Sequence, residues 1–122
     1  GGAGNPYLPF HHDRDAVVYT GTHDNDTSLG WYQSLDEAGQ AYVDEFLGHS
    51  AEPMPWPLVR AALASRATLA VLPMQDLLEL DGVHRMNVPG TAEGNWTWRF
   101  AWDMVPEGLS QKVRRMVEIY GR

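Results

Sequence analysis

Two short runs constrain the fold of this chain more than anything else in it: Val17-Val18-Tyr19-Thr20 and Thr68-Leu69-Ala70-Val71-Leu72. The first is β-branched and aromatic and reads as a strand. The second is continuously apolar, too short for a helix of its own, and closed by Pro73. Such a run is predicted to be a strand buried on both faces. Helical patterns separate the two. Strand, helices, strand is the order of a βαβ unit, so the sequence predicts an α/β fold whose strands, about 17–22 and 68–72, run parallel.

The helical patterns can be placed from their punctuation. Ser34-Leu35-Asp36-Glu37 has the form of a capping box, with Ser34 as N-cap and Glu37 three residues on. Leu35, Ala38, Tyr42, Phe46 and Leu47 follow at helical spacing, and Gly48 is a stop signal, which predicts a helix over about 35–47. Pro57, tolerated in a first turn, opens a second helix over about 57–65. Leu77-Leu78-Glu79-Leu80 is expected to form a short helical turn. From Leu109 onward Leu109, Val113, Met116, Val117 and Tyr120 keep one face and Lys112, Arg114 and Arg115 the other, with Gly121 at the end.

Both strands end in polar residues. Gly21 permits a tight exit from the first, and Thr22-His23-Asp24-Asn25-Asp26-Thr27 follows. The second strand leads into Gln75 and Asp76. In α/β proteins the carboxyl ends of parallel strands are where sites are built. Polar groups there need water, a ligand, a metal or each other. Asp and Asn also cap helices and form turns, so the run after Gly21 equally suits a cap for the next helix. The long stretch 85–100 is rich in Gly, Pro, Asn and Trp, and long loops of this kind tend to be functional. Trp96 beside Asn95 suits the apolar faces and hydroxyl edges of sugars; the competing reading is that Trp96, Trp98 and Trp102 anchor the loop to the core. Trp31 and Tyr32 read first as packing. His11 and His12 read as part of a solvated loop, since adjacent His residues converge poorly on one ion.

Charge narrows the partners. The chain has 9 Lys and Arg against 16 Asp and Glu, a net charge of −7, and no basic cluster. Nucleic acid and anionic membranes are therefore poor partners, and a neutral substrate fits better than a polyanion. The absence of Cys excludes disulfides and thiolate metal sites and suits a reducing compartment. A cation site made by His23, Asp24 and Asp26 ranks last, so no metal and no cofactor is expected. A chain that begins Gly-Gly-Ala-Gly-Asn-Pro without Met is expected to be cut from something longer.

The residues also carry a family likeness. Tyr19-Thr20-Gly21-Thr22-His23-Asp24-Asn25-Asp26-Thr27 resembles the signature of the amylomaltases, the 4-α-glucanotransferases or disproportionating enzymes of glycoside hydrolase family 77. Pro73-Met74-Gln75-Asp76-Leu77-Leu78 resembles the end of that family's next strand. Arg85-Met86-Asn87, Pro89-Gly90-Thr91 and Gly94-Asn95-Trp96 with Trp98-Arg99 resemble its carboxyl-terminal loop, and the matches fall in family order. Asn5-Pro6-Tyr7-Leu8-Pro9 and Tyr120-Gly121-Arg122 extend the likeness to both ends.

The resemblance implies a (β/α)8 barrel, with 17–22 and 68–72 as its seventh and eighth strands and residues 1–122 as the carboxyl-terminal part of one catalytic domain. It implies transfer of α-1,4-glucan segments between maltooligosaccharide acceptors through a covalent glycosyl-enzyme. Asp24 takes the place of the family's transition-state-stabilising carboxylate and His23 that of its substrate-binding neighbour, with Asn95 and Trp96 as further glucan-binding candidates. The nucleophile and acid/base that a retaining mechanism needs come, in the family, from the fourth and fifth strands, and this chain has neither. The expected partner is thus the missing amino-terminal part of the same barrel, in a cytoplasmic enzyme or, for a plant source, a plastid one. The isolated chain is expected to be inactive. The alternative, from another class, is a non-catalytic α-glucan-binding module using Trp31, Trp96 and Trp98.

Overall fold

The structure, a computed structural model, describes residues 17–21 and 25–122. Strand β1 (Val17–Tyr19) is followed by helices α1 (Ser28–Ser34), α2 (Glu37–Phe46) and α3 (Trp56–Ala64). Strand β2 (Leu69–Val71), a short helix α4 (Met74–Leu77), two 3₁₀ turns at Gly82–His84 and Trp102–Met104, and helix α5 (Leu109–Ile119) complete the order. The strands pair in parallel as the βαβ order predicts, with Val17 opposite Leu69, Val18 opposite Ala70 and Tyr19 opposite Val71.

Because side chains alternate along a strand, this register sorts the pairs by face. Val18 is fully buried with Ala62 and Ala67, and Ala70 and Leu72 pack against them. Val17, Tyr19, Leu69 and Val71 all lie on the other face and are exposed, Leu69 by 54%. The expectation that the second strand is buried on both faces is therefore corrected. Helix α3 supplies a cover for one face, and among the described residues nothing covers the other.

The larger core lies between α3, α4 and α5: Trp56, Val59, Leu63, Leu78, Leu109 and Met116 are buried together. The apolar face read from the sequence of α5 is the face it packs with, as Val113, Val117 and Tyr120 join this cluster. Lys112 lies at the edge, its Nζ 3.7 Å from the centre of the Trp56 ring. Two of the stop signals act as read. Gly48 and Gly121 adopt φ of +81° and +71°, and the amides of His49 and Arg122 reach back to Asp44 O and Val117 O in Schellman closures. Arg122 then donates from its guanidinium to the carbonyls of Leu63 and Ala67, both at 2.7 Å, and of Ser65 at 3.0 Å. The end of the chain thereby satisfies the carbonyls where α3 stops and the path to β2 begins.

The capping box is corrected. Helix α1 occupies 28–34, with Thr27 as its N-cap, so Ser34 belongs to the end of that helix and its hydroxyl donates to Trp31 O at 2.6 Å. The N-cap of α2 is Asp36, whose Oδ1 accepts from Gly39 N at 2.7 Å. A carboxylate at the positive end of a helix is the stronger acceptor of the two. Pro57 falls in the first turn of α3, as read. No helix among the described residues is long and apolar enough to cross a membrane.

Candidate functional site

A cleft of about 620 Å³ opens at the carboxyl ends of both strands. Its wall is made by Gly21, Asn25 and Asp26 after β1, by Pro73, Gln75 and Asp76 after β2, and by Arg85, Met86 and Trp96 from the long loop. The polar residues that follow the two strands in sequence thus meet at one end of the sheet, wherever they are described. His23 and Asp24 lie outside the described residues, as do His11 and His12. Among the described residues no group of His, Asp and Glu is arranged to hold a metal ion.

Asp76 is 1% exposed, yet both its oxygens are engaged. Oδ2 accepts from Thr20 Oγ1 at 2.5 Å and lies 2.7 Å from Ser28 Oγ; Oδ1 accepts from Ser28 N at 2.9 Å. The Ser28 hydroxyl is also 3.0 Å from Thr20 O, and its single proton serves the charged acceptor better. The carboxylate of α4 therefore ties the end of β1 to the first turn of α1.

Asp26 plays a different part. Its Oδ1 accepts from Thr27 N at 2.8 Å, and its carboxylate fits against Gly30 of α1 and Gly82 of the 3₁₀ turn. A Cβ on Gly30 would stand 2.3 Å from Oδ1, and one on Gly82 2.8 Å from it. The helix cap itself is Thr27, whose Oγ1 accepts from Gly30 N at 3.1 Å. Asp26 thus sits beside the cap and faces the cleft.

The long loop is closed on itself. Trp96 N donates to Met86 O at 2.7 Å, and within that ring the Asn95 side chain is fully occupied. Its Oδ1 accepts from Val88 N at 2.9 Å and its Nδ2 donates to Thr91 O at 3.1 Å. Trp96 takes φ +63°, a left-handed conformation rare for a bulky residue, and is 61% exposed at the cleft. Trp98 is the anchor among the tryptophans: it packs against the large core and donates from Nε1 to His84 Nδ1 at 2.9 Å. Trp102 is 79% exposed and makes an edge contact with Phe100. The single anchoring role considered for all three therefore divides, and only Trp98 fills it.

Tyr19, Asn25, Arg85 and Met86 line the cleft without having been singled out as site residues from sequence. Arg85 and Met86 stand in the Arg85-Met86-Asn87 motif, so a signal for them was present. Tyr19 could have been found from strand alternation, which puts it on the face opposite Val18.

Comparison with known proteins adds to this geometry. A family model described as 4-alpha-glucanotransferase matches residues 1–104. A 4-alpha-glucanotransferase of Synechocystis sp. is 49% identical over 121 residues, covering 98% of this chain and 24% of that protein. A chloroplastic/amyloplastic 4-alpha-glucanotransferase of Oryza sativa subsp. japonica is 43% identical over 122 residues, 99% of this chain and 20% of that protein. The structure of an amylomaltase from Streptococcus agalactiae in complex with acarbose superposes with a TM-score of 0.91 at 29% identity, over 98% of this chain and 24% of that one. The chain spans about a quarter or less of the length of these relatives.

Proposed function

Since the chain belongs to the 4-α-glucanotransferase family, we propose that it is the carboxyl-terminal part of a (β/α)8 catalytic domain that transfers α-1,4-glucan segments between glucan acceptors. The observation that carries this reading is the cleft, set at the carboxyl ends of two parallel strands with an exposed Trp96 on its wall. That is where barrel enzymes hold their substrates. The uncovered apolar face of Val17, Tyr19, Leu69 and Val71 supports the barrel half of the proposal. Further parallel strands would enclose that face as a barrel interior.

In this reading residues 1–122 belong to one domain completed by an amino-terminal part, which supplies the nucleophile and the acid/base. The nucleophilic carboxylate attacks the anomeric carbon while the acid protonates the departing glycosidic oxygen. An acceptor hydroxyl then attacks the glycosyl-enzyme and returns a proton to the same residue. Asp24 stabilises the oxocarbenium-like charge between these states, and His23 holds a sugar hydroxyl. Trp96 offers its indole to a sugar face, and Asn95 serves that subsite by holding the loop that carries Trp96. The setting we propose is cytoplasmic, or a plastid as in the chloroplastic/amyloplastic relative.

The full-length protein incubated with maltotriose should give glucose together with longer maltooligosaccharides, resolved by chromatography, while the 122-residue chain alone should give neither. Hydrolysis without longer products, or binding of maltooligosaccharide with no reaction by the full-length protein, would overturn the transferase reading.

A further inference from the structure

We infer that Asp76 is a positioning residue for Asp24, an inference that rests on the proposed role of Asp24. Asp76 is a buried carboxylate that the proposed chemistry does not use: it is 1% exposed, and both its oxygens accept hydrogen bonds. Among the described residues its donors come from Thr20 and Ser28. Thr20 directly follows β1, and Ser28 is the first residue of α1. In sequence they bracket residues 21–27, the segment that contains His23 and Asp24. One side chain from a distant element therefore fixes both ends of the segment that carries the proposed catalytic carboxylate.

Physical chemistry argues that this arrangement serves geometry. Removing a carboxylate from water is costly, and a well-packed apolar residue often does as well for stability. What the buried carboxylate adds is direction. Charge-assisted bonds to a hydroxyl, a second hydroxyl and an amide fix three donors relative to one rigid group. The packing next to it has the same character, since the Asp26 carboxylate fills the space left by Gly30 and Gly82. Misplacing a catalytic group by about 1 Å can cost about a hundredfold in rate, so a brace of this kind acts on turnover.

The test is a double-mutant cycle in the full-length protein with maltotriose as substrate. Thr20→Val removes the shortest bond to Asp76 at nearly constant shape, Thr20→Ser keeps it, and Asp76→Asn removes the charge. Thr20→Val and Asp76→Asn should each lower kcat by about tenfold or more, with KM within about twofold, and Thr20→Ser should restore kcat. In an Asp24→Asn background the same changes should leave the residual kcat within about twofold, because a brace acting through Asp24 has nothing left to position. Equal losses in both backgrounds, or folded variants with unchanged kcat, would overturn the inference. Should Asp76→Asn fail to fold, Thr20→Val decides. Asp24→Asn measured alone reports separately on the role of Asp24, and an unchanged kcat there would remove that role and the inference with it.

Discussion

Gly30 is a glycine for steric reasons. It sits inside α1, where alanine would ordinarily favour the helix by about 1 kcal/mol. Here a Cβ would stand within 2.8 Å of three atoms of the Asp26 carboxyl group. Gly30→Ala should therefore destabilise the full-length protein by about 1–3 kcal/mol, the usual cost of overpacking, and in an Asp26→Ala background that penalty should vanish. Thermal unfolding of the two single variants and the double variant checks it; an unchanged penalty would show that Asp26 is not the obstacle. Trp96 offers a second test at this scale. Trp96→Ala leaves a Cβ at φ +63°, so it removes the indole without changing the backbone strain. It should weaken maltooligosaccharide binding in the full-length protein by about tenfold, near the upper worth of an aromatic contact, and shift stability by no more than about 0.5 kcal/mol. Calorimetric titration beside thermal unfolding separates these; lost stability with unchanged affinity would make Trp96 an anchor like Trp98. Single residues were legible in sequence where their role is local. Gly48 and Gly121 end helices because the left-handed turn they make is a property of the residue and its neighbours. Asp76 is bonded across 48 and 56 residues of sequence, and no local pattern encodes such a brace.

At the scale of elements, periodicity located α2, α3 and α5 well, and α1 was missed. Ser28-Leu29-Gly30-Trp31-Tyr32-Gln33-Ser34 has a central glycine and no repeating apolar face, because its packing is against Asp26 and the 3₁₀ turn. Missing it also misplaced the cap of α2, since Ser34 and Asp36 are two residues apart and both are good caps. Ion pairs then tie the loop at 49–55 to two helices. Glu52 pairs with Arg60 of α3 and lies 3.2 Å from Lys112 of α5. The Arg60 guanidinium foremost, and Lys112 after it, hold the Glu52 carboxyl below its ordinary value of 4.5, against an opposing effect of burial. A carboxyl depressed in the folded state contributes stability above its unfolded value and loses it as pH falls through the folded one. The stability difference between the parent and Glu52→Gln should thus be full above pH 4.5 and fade below it. It should not exceed about 1 kcal/mol, as the pair is partly exposed to solvent. Denaturant melts across that range check this, and a difference independent of pH would contradict it.

For the whole molecule, the parallel pairing of the two strands was legible because the order strand, helices, strand leaves few other topologies. The environment of the second strand was not. Its continuous apolar run calls for cover on two faces, and the described residues provide one. In the proposed reading the mismatch is one of scale: the other face would be enclosed by the remaining strands of the barrel. The cleft shares that character: Asp26, Gln75, Arg85 and Trp96 form a wall at the strand ends, and the proposal completes it from the amino-terminal part. The role assigned to Asp24 joins the two halves. A fixed carboxylate near a sugar ring is worth more once positive charge develops there, so it acts on turnover more than on binding. Asp24→Asn keeps the shape and removes the charge. The most direct measurement is kcat for maltotriose disproportionation by full-length protein carrying Asp24→Asn. The account predicts a fall of about a hundredfold or more with KM little changed, and a kcat within a few-fold of the parent would contradict it.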